Sequence, residues 1–426
     1  MYGLCFTLWA PLPAIVITHY DYLKDAFVTQ GDAFITRINR PPETLPQAHN
    51  NTGVLVSSRE NWRLQRRTSL KILRDFGLSR NLMEEQVMRS VHEMLQQIEN
   101  INDKKKVDMF WPIRLCVGNV INESLFGYHY KYDDADRFKN FVQIADRHLR
   151  AALGKLQLLM TAFPWLRHVP IIRELGYHKI GTTPFCETLC AVFSIKDLSR
   201  KRLLIKSKSM MERVNQKILS TPTKILSTPR QMKQTGNPGL DMPNLCSRFL
   251  YPEIQDKVRE KIFEVVGTSR LPSMSDKPNM PYTQAVIHEV QRHSNMIPVM
   301  LFHTNTEDVV VKGQNVPTGT LVFGQIWSIM KNDSMFDESQ KFNPSRYLQA
   351  DGKTLNNAVI EKKIPFGIGK KACAGEGLAR MELFLIFSAF IQKYEFIANS
   401  NIDLSPDWGG VLTSKSYTCQ LIPQTV

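Results

Sequence analysis

One short segment constrains this chain more than any other: Pro365-Phe-Gly-Ile-Gly-Lys-Lys-Ala-Cys373-Ala-Gly-Glu376. Gly367 and Gly369 precede the cysteine and Gly375 follows it. Glycine takes positive φ at little cost and lets backbone approach a flat ligand closely. Residues 378–394 come next and are apolar nearly all round, which suits a buried helix. A cysteine at the mouth of such a helix meets the positive dipole end and free N–H groups, and both favour thiolate. Thiolate is a ligand for heme iron. A lone Cys-x-Gly is ordinary core chemistry, whereas Phe366, Gly369, Cys373 and Gly375 in register are a motif in its proper context.

The rest of the chain predicts a mainly α protein with small β-sheets (α+β). Residues 4–9 and 14–18 are short, apolar and β-prone, and a link carrying Pro11 and Pro13 joins them as a strand pair. Asp21 is expected to cap a helix running to Gln30, with Gly31 as its stop. Helical spacing covers 61–73, 82–98, 111–126 and 138–160, and Pro164 with Pro170 predicts a bend in 163–177. Pro252 opens a helix with Ile254, Val258, Ile262 and Val265 on one face and Gly267 at its end. Another helix begins near Pro281 and runs to about His293. Strands are expected at 309–311 and 321–323, and 411–413 with 417–421 as a closing hairpin.

Composition removes several function classes. No run of eighteen apolar residues exists, so no transmembrane helix is expected. Seven cysteines without a repeating spacing argue against a disulfide framework. A net charge of +14 draws acidic partners. Without zinc-finger spacing, an RNP-like run or a basic zipper, nucleic acid is not expected among them. Residues 196–240 are rich in Lys, Arg, Ser, Pro and Gln, and Lys217-Ile-Leu-Ser-Thr-Pro is repeated from Lys224. A mobile surface loop is expected at 217–240.

The cysteine segment resembles the heme-binding loop of the cytochrome P-450 family, and further matches follow in the family's order. Glu289-Val-Gln-Arg292 resembles its E-x-x-R, and Phe342-Asn-Pro-Ser-Arg346 the segment whose arginine completes that ion network. Trp62 and Arg66 resemble its W-x-x-x-R, where both groups hold a heme propionate. His303 aligns with another propionate partner and Lys371 with a third. The resemblance runs from about Tyr2 to the C-terminus and is closest to the microsomal drug- and lipid-oxidising branch.

This resemblance implies a single domain over 1–426 with the P-450 fold. It implies heme (iron protoporphyrin IX) as cofactor, Cys373 as iron ligand, and Phe366, Gly369 and Gly375 shaping the loop. It implies electrons from NADPH through a reductase, and insertion of one oxygen atom of O2 into a lipophilic small molecule. The expected place is the cytoplasmic face of the endoplasmic reticulum membrane, and the apolar stretch 156–165 reads either as peripheral lipid contact or as core. Arg63, Arg66, Arg67, Lys71, Arg74 and Lys370 make either a positive proximal face that steers an acidic reductase domain or a solvated helix with no partner.

The pattern breaks in three places. The chain begins at what resembles the family's first strand, so it is expected to be truncated, without the anchor helix. Between Ser247 and Tyr251 the family's long central helix has no counterpart, and neither does its A-G-x-[DE]-T stretch. The fold is therefore expected to be internally deleted near 247–251, by roughly 25 residues at 3.6 per turn. No catalytic acid–alcohol pair is identified. Lys371 stands where arginine is usual, so it offers a point charge instead of a fork. Two readings stay open: a monooxygenase of xenobiotics, fatty acids or steroids, and a catalytically inactive heme-binding relative or non-functional splice or gene-model product.

Overall fold

The computed structural model describes residues 5–9, 13–38, 54–55, 57–75, 81–126, 128–140, 142–143, 159, 163–172, 251–332, 334–399, 411–412, 415 and 417–424. The expected loop at 217–240, the deletion point near 247–251 and most of 138–160 lie outside them. Strands β1 (Cys5–Trp9) and β2 (Pro13–Ile17) run antiparallel, with Cys5 opposite Ile17. Pro13 occupies the first position of its strand, where a missing N–H matters least. β3 (Thr36–Arg37), β4 (His303–Thr304) and β7 (Leu321–Gly324) complete a 5-stranded sheet of order β1-β2-β7-β4-β3. β2 and β7 are parallel, Ala14 beside Leu321, and β3 and β4 are antiparallel, Arg37 beside His303. Leu23, Phe27, Phe34, Val322, Ile326 and Ile364 pack as the core of this end.

Helix α1 (Tyr20–Lys24) is shorter than expected and opens into a wider turn over Asp25–Thr29. Asp21 lies in its first turn and His19 holds the cap position, so the expected cap is displaced by two residues.

The main core is helical. α2 (Arg59–Asp75), α3 (Asn81–Glu99), α4 (Phe110–Phe126), α5 (Pro252–Val266), α6 (Pro281–Ser294), α7 (Ile326–Asn332), α8 (Asn357–Lys362) and α9 (Glu376–Lys393) follow in order. On α3, Met83, Val87, Val91, Met94 and Ile98 keep one face inward. Cys116 and Val120 of α4 and Val258 and Ile262 of α5 belong to the same core cluster, and Leu383–Ile391 of α9 is buried on every side. Each such side chain contributes about 1.5–3 kcal/mol. Pro252 opens α5, and Gly267 at φ 74 ends it. α6 ends one residue beyond expectation, at Asn295 in the left-handed region. Pro164–His168 forms a tight helical turn and Pro170–Ile172 another, in line with the expected bend.

Two strand expectations change. β5 (Val309–Val311) pairs with an unanticipated β6 (Gln314–Val316) across Lys312-Gly313, both at positive φ. Gln314 and Asn315 are exposed polar residues, so apolar patterning gave no sign of that strand. Among the described residues, 411–412 form no strand with 417–421. β9 (Cys419–Pro423) pairs instead with β8 (Tyr394–Ala398), directly after α9. That register puts Tyr394, Phe396, Cys419 and Leu421 together in the core, while the Leu412 N–H donates to the Met296 carbonyl at 2.7 Å.

Glu382 is the exception on α9: it is 2% exposed and its Oε1 has no partner. Burial pushes its carboxyl up to about 8 from an ordinary 4.5. The folded chain keeps this group neutral while the unfolded chain ionises it. Stability is therefore highest below the ordinary value and is lost as pH climbs toward 8. Glu382→Gln is expected to stabilise the protein by about 1–3 kcal/mol at pH 7.5 and far less at pH 5, measured by denaturant unfolding at both pH values.

Candidate heme site

The cysteine loop is built from backbone turns. The Gly367 N–H donates to the Ile364 carbonyl at 3.0 Å, Ala372 to Gly369 at 3.1 Å, and Cys373 to Phe366 at 2.9 Å. Gly367 and Gly369 have φ of 75 and 78. At Gly369 a Cβ would lie 2.0 Å from the Phe27 carbonyl oxygen, so the loop rests directly on the turn after α1. Gly369→Ala therefore meets a steric wall as well as a disfavoured φ, the latter alone costing about 1–2 kcal/mol. It is expected to lower stability by about 2 kcal/mol or more and to reduce bound heme per chain, read by unfolding and by pyridine hemochrome.

Cys373 is exposed and stands just ahead of α9, with Gly375 at the cap. Partial desolvation raises its thiol, and the Glu376 carboxylate adds to that. The Gly375 and Glu376 N–H groups and the Arg66 guanidinium act the other way without outweighing it. The helix mouth alone thus does not secure the thiolate in the bare protein. Coordination to a metal would, because a coordinating thiol loses its proton outright.

Cations surround this loop. Arg66 on α2 donates from Nη1 to the Ala372 carbonyl at 2.8 Å and lies 5.7 Å from the buried Trp62 ring. Lys371 donates to the Ser57 carbonyl at 2.5 Å and sits 5.0 Å from the same ring. His303 donates from Nδ1 to the Phe34 carbonyl at 2.6 Å and packs its ring edge on Phe27. Its Nε2 is buried without a partner. Arg37, paired with His303 across β3 and β4, gives Nη1 to the Leu301 carbonyl at 2.7 Å and Nε to that of Leu55 at 3.2 Å.

The electrostatics show what is missing from this cluster. Burial lowers Arg37 to about 9. Burial, then Arg37 and Arg66, lowers Lys371 to about 6. Burial, then Arg37 and Lys371, holds His303 well below its ordinary range, despite the Phe34 hydrogen bond. Among the described residues no carboxylate pairs with Arg37, Arg66 or Lys371. Buried basic groups without their own acids suit acid groups brought from outside, which would favour their charged forms. The two propionates of a heme are such groups, so the residues present fit that cofactor. Arg37 was missed in the sequence. Its signal was a lone cation in the apolar run Ala33-Phe-Ile-Thr-Arg37.

Glu289, Arg292 and Arg346 are brought together behind the loop. Glu289 and Arg292 are 0% exposed and form a two-pronged pair, Nε to Oε2 at 2.7 Å and Nη2 to Oε1 at 2.8 Å. The Arg292 Nη1 reaches the Met330 carbonyl at 2.8 Å. Arg346 Nε and the Asn343 N–H both donate to Glu289 Oε1, at 3.2 and 2.9 Å. Asn343 is placed by the short turn Pro344–Tyr347 that its own side chain caps.

The expected positive face on α2 is modified. Arg66 turns inward to Ala372, and Asp32 pairs with both Arg63, at 2.9 Å, and Lys370. Arg67 and Lys71 stay exposed on α2.

The family model for cytochrome P450 matches residues 1–184 and 249–421. The unmatched stretch adjoins the point where the central helix was expected to be lost. Similar proteins include cytochrome P450 2H2 of Gallus gallus, 30% identical in an alignment that covers 99% of this chain and 87% of that one. Cytochrome P450 2C70 of Mus musculus is 29% identical over 96% of this chain and 85% of its own length. Cytochrome P450 2C23 of Rattus norvegicus is 27% identical over 99% and 87%. The class is that of the heme-thiolate monooxygenases, oxidoreductases that act on lipophilic molecules with heme iron as cofactor and electrons from NADPH through a reductase. Within that class, the chain belongs to the cytochrome P450 family.

Proposed function

We propose that Cys373 would ligate the iron of a heme whose propionates would be held by Trp62, Arg66, His303, Lys371 and Arg37. Phe366, Gly369 and Gly375 shape the loop that presents the sulfur, and Glu289, Arg292 and Arg346 fix the frame behind it. The observation that carries this reading is the acid-free cation cluster beside the cysteine loop. Bound heme supplies one-electron and O2 chemistry, and a thiolate ligand favours O–O cleavage. The protein's own groups orient it, neutralise its carboxylates and hold Cys373 at its face. The substrate class is a lipophilic xenobiotic, fatty acid or steroid. The test is the absorption spectrum of the reduced protein with carbon monoxide. A strongly red-shifted Soret band is expected, and an ordinary band or no heme overturns the assignment.

A second reading, a heme-binding relative without turnover, is favoured by the break in the family match over 185–248 and the missing A-G-x-[DE]-T stretch. NADPH-driven oxidation of a lipophilic probe with reductase would exclude it.

Arg67, Lys71 and the partly neutralised Arg63 and Lys370 form the proposed reductase-facing side. Raising salt from 50 to 500 mM is expected to slow reductase association by about tenfold or more; a salt-independent rate counts against this face. The endoplasmic reticulum surface is the proposed location. Among the described residues no helix is long and apolar enough to cross a membrane. Phe163, Trp165 and Ile171 are exposed apolar side chains within one short stretch, which suits contact with lipid. Co-sedimentation with vesicles tests that contact, and its loss in Trp165→Ser would assign it to this stretch.

A further inference from the structure

A half-enclosed cavity of about 30 Å³ lies between α6 and α9. Lys277, His288, Gln291 and Arg380 line it, with Ile287 and Leu383 as apolar walls. Gln291 is 1% exposed, and the buried Lys363 ammonium lies 2.6 Å from its Oε1. An ammonium can only donate, so the amide atom it touches must be the oxygen. This fixes the orientation of the amide. Its Nε2, a double donor, is left buried with no acceptor. His288 Nδ1 is likewise buried and unpartnered.

Charge decides what kind of acceptor is missing. Burial, then Lys363, Arg380 and Lys277, pushes His288 down to about 2, so three cations converge on this ring. Lys277 is itself lowered by burial and by Arg380. The acid beside them is Glu376, and Arg380 engages it through Nε at 2.9 Å and Nη2 at 2.6 Å. Among the described residues no ion pair is formed by Lys277. A water molecule would satisfy the donors but leave the positive charge uncompensated. Space of this size, half open to solvent, admits a monatomic ion.

We propose that this cavity is a halide site, with chloride as the ligand, held by the Gln291 amide, the Lys277 ammonium and the His288 ring N–H. The site is separate from the cysteine loop and makes no use of the heme chemistry proposed above.

The experiment uses the full heme-loaded chain in sodium bromide or sodium gluconate at equal ionic strength. Bromide is expected to raise the unfolding midpoint saturably above gluconate. Crystals grown in bromide are expected to show an anomalous peak within hydrogen-bond distance of Gln291 Nε2. Lys277→Met and Gln291→Leu are expected to weaken bromide affinity about tenfold each, as befits loss of one charge-assisted contact. Where Gln291→Leu fails to fold, the half-exposed Lys277→Met carries the comparison. Equal midpoints in the two salts, ordered water in place of the peak, or bromide on surface lysines alone would each overturn the site.

Discussion

Cys373→Ser is expected to abolish the red-shifted Soret band of the reduced, carbon monoxide-bound protein and to lower turnover by roughly three orders of magnitude or more, about 4 kcal/mol. Its fold should be nearly unchanged. The Cys373 side chain is exposed and belongs to no core cluster, and the loop is closed by its backbone N–H on the Phe366 carbonyl. Surface substitutions of this kind fall within about 0.5 kcal/mol. Arg37, Arg66, His303 and Lys371 are untouched, so heme uptake should persist with its Soret band at the ordinary position. That outcome would separate the two parts of the proposed site: basic groups would hold the carboxylates and sulfur would set the electronics of the iron. Retention of the shifted band in the serine variant would place the iron ligand elsewhere and end the assignment of Cys373.

The second large effect concerns stability. Glu289→Gln keeps the shape of the side chain and removes its charge, leaving Arg292 buried with no acid and Arg346 without its carboxylate. Removing one partner of a fully buried pair costs about 3–5 kcal/mol, because the other charge stays desolvated. Against a total of about 5–15 kcal/mol, that is about a fifth or more of the stability of an ordinary domain. The Asn343 N–H also loses a charged acceptor, which loosens the turn leading to Arg346. The expected outcome is a large drop in the urea midpoint and poor heme retention. Wild-type stability in this variant would mean that the network fixes geometry without holding the fold together.

The cysteine loop, the Glu289 network and the long helices were legible in the sequence because each rests on local signals. Gly369 announces positive φ, Glu289 and Arg292 are three apart on one helix, and Val258 and Ile262 mark a face. What was not legible depends on distant chain. Arg37 becomes part of the cation cluster only when β3 lies against β4. The Asp32 pairing that tempers the basic face joins three segments with no shared pattern. The partner of β9 could not be chosen from 417–421, because the competing strand at 394–398 follows a helix without a turn signal. Asp21 has the chemistry of a cap, but the α1 backbone begins two residues too early to use it.

The parallel pairing of β2 with β7 sets an order of events in time. Residues 14–17 must wait for 321–324, and at about 5–20 residues per second a ribosome needs roughly 15–60 s to supply that partner. Until then the apolar edge of β2 stands open, the kind of edge that recruits other strands and calls for a chaperone. His303 and Cys373 emerge just as late. The proposed heme site is therefore incomplete on the nascent chain until these residues emerge.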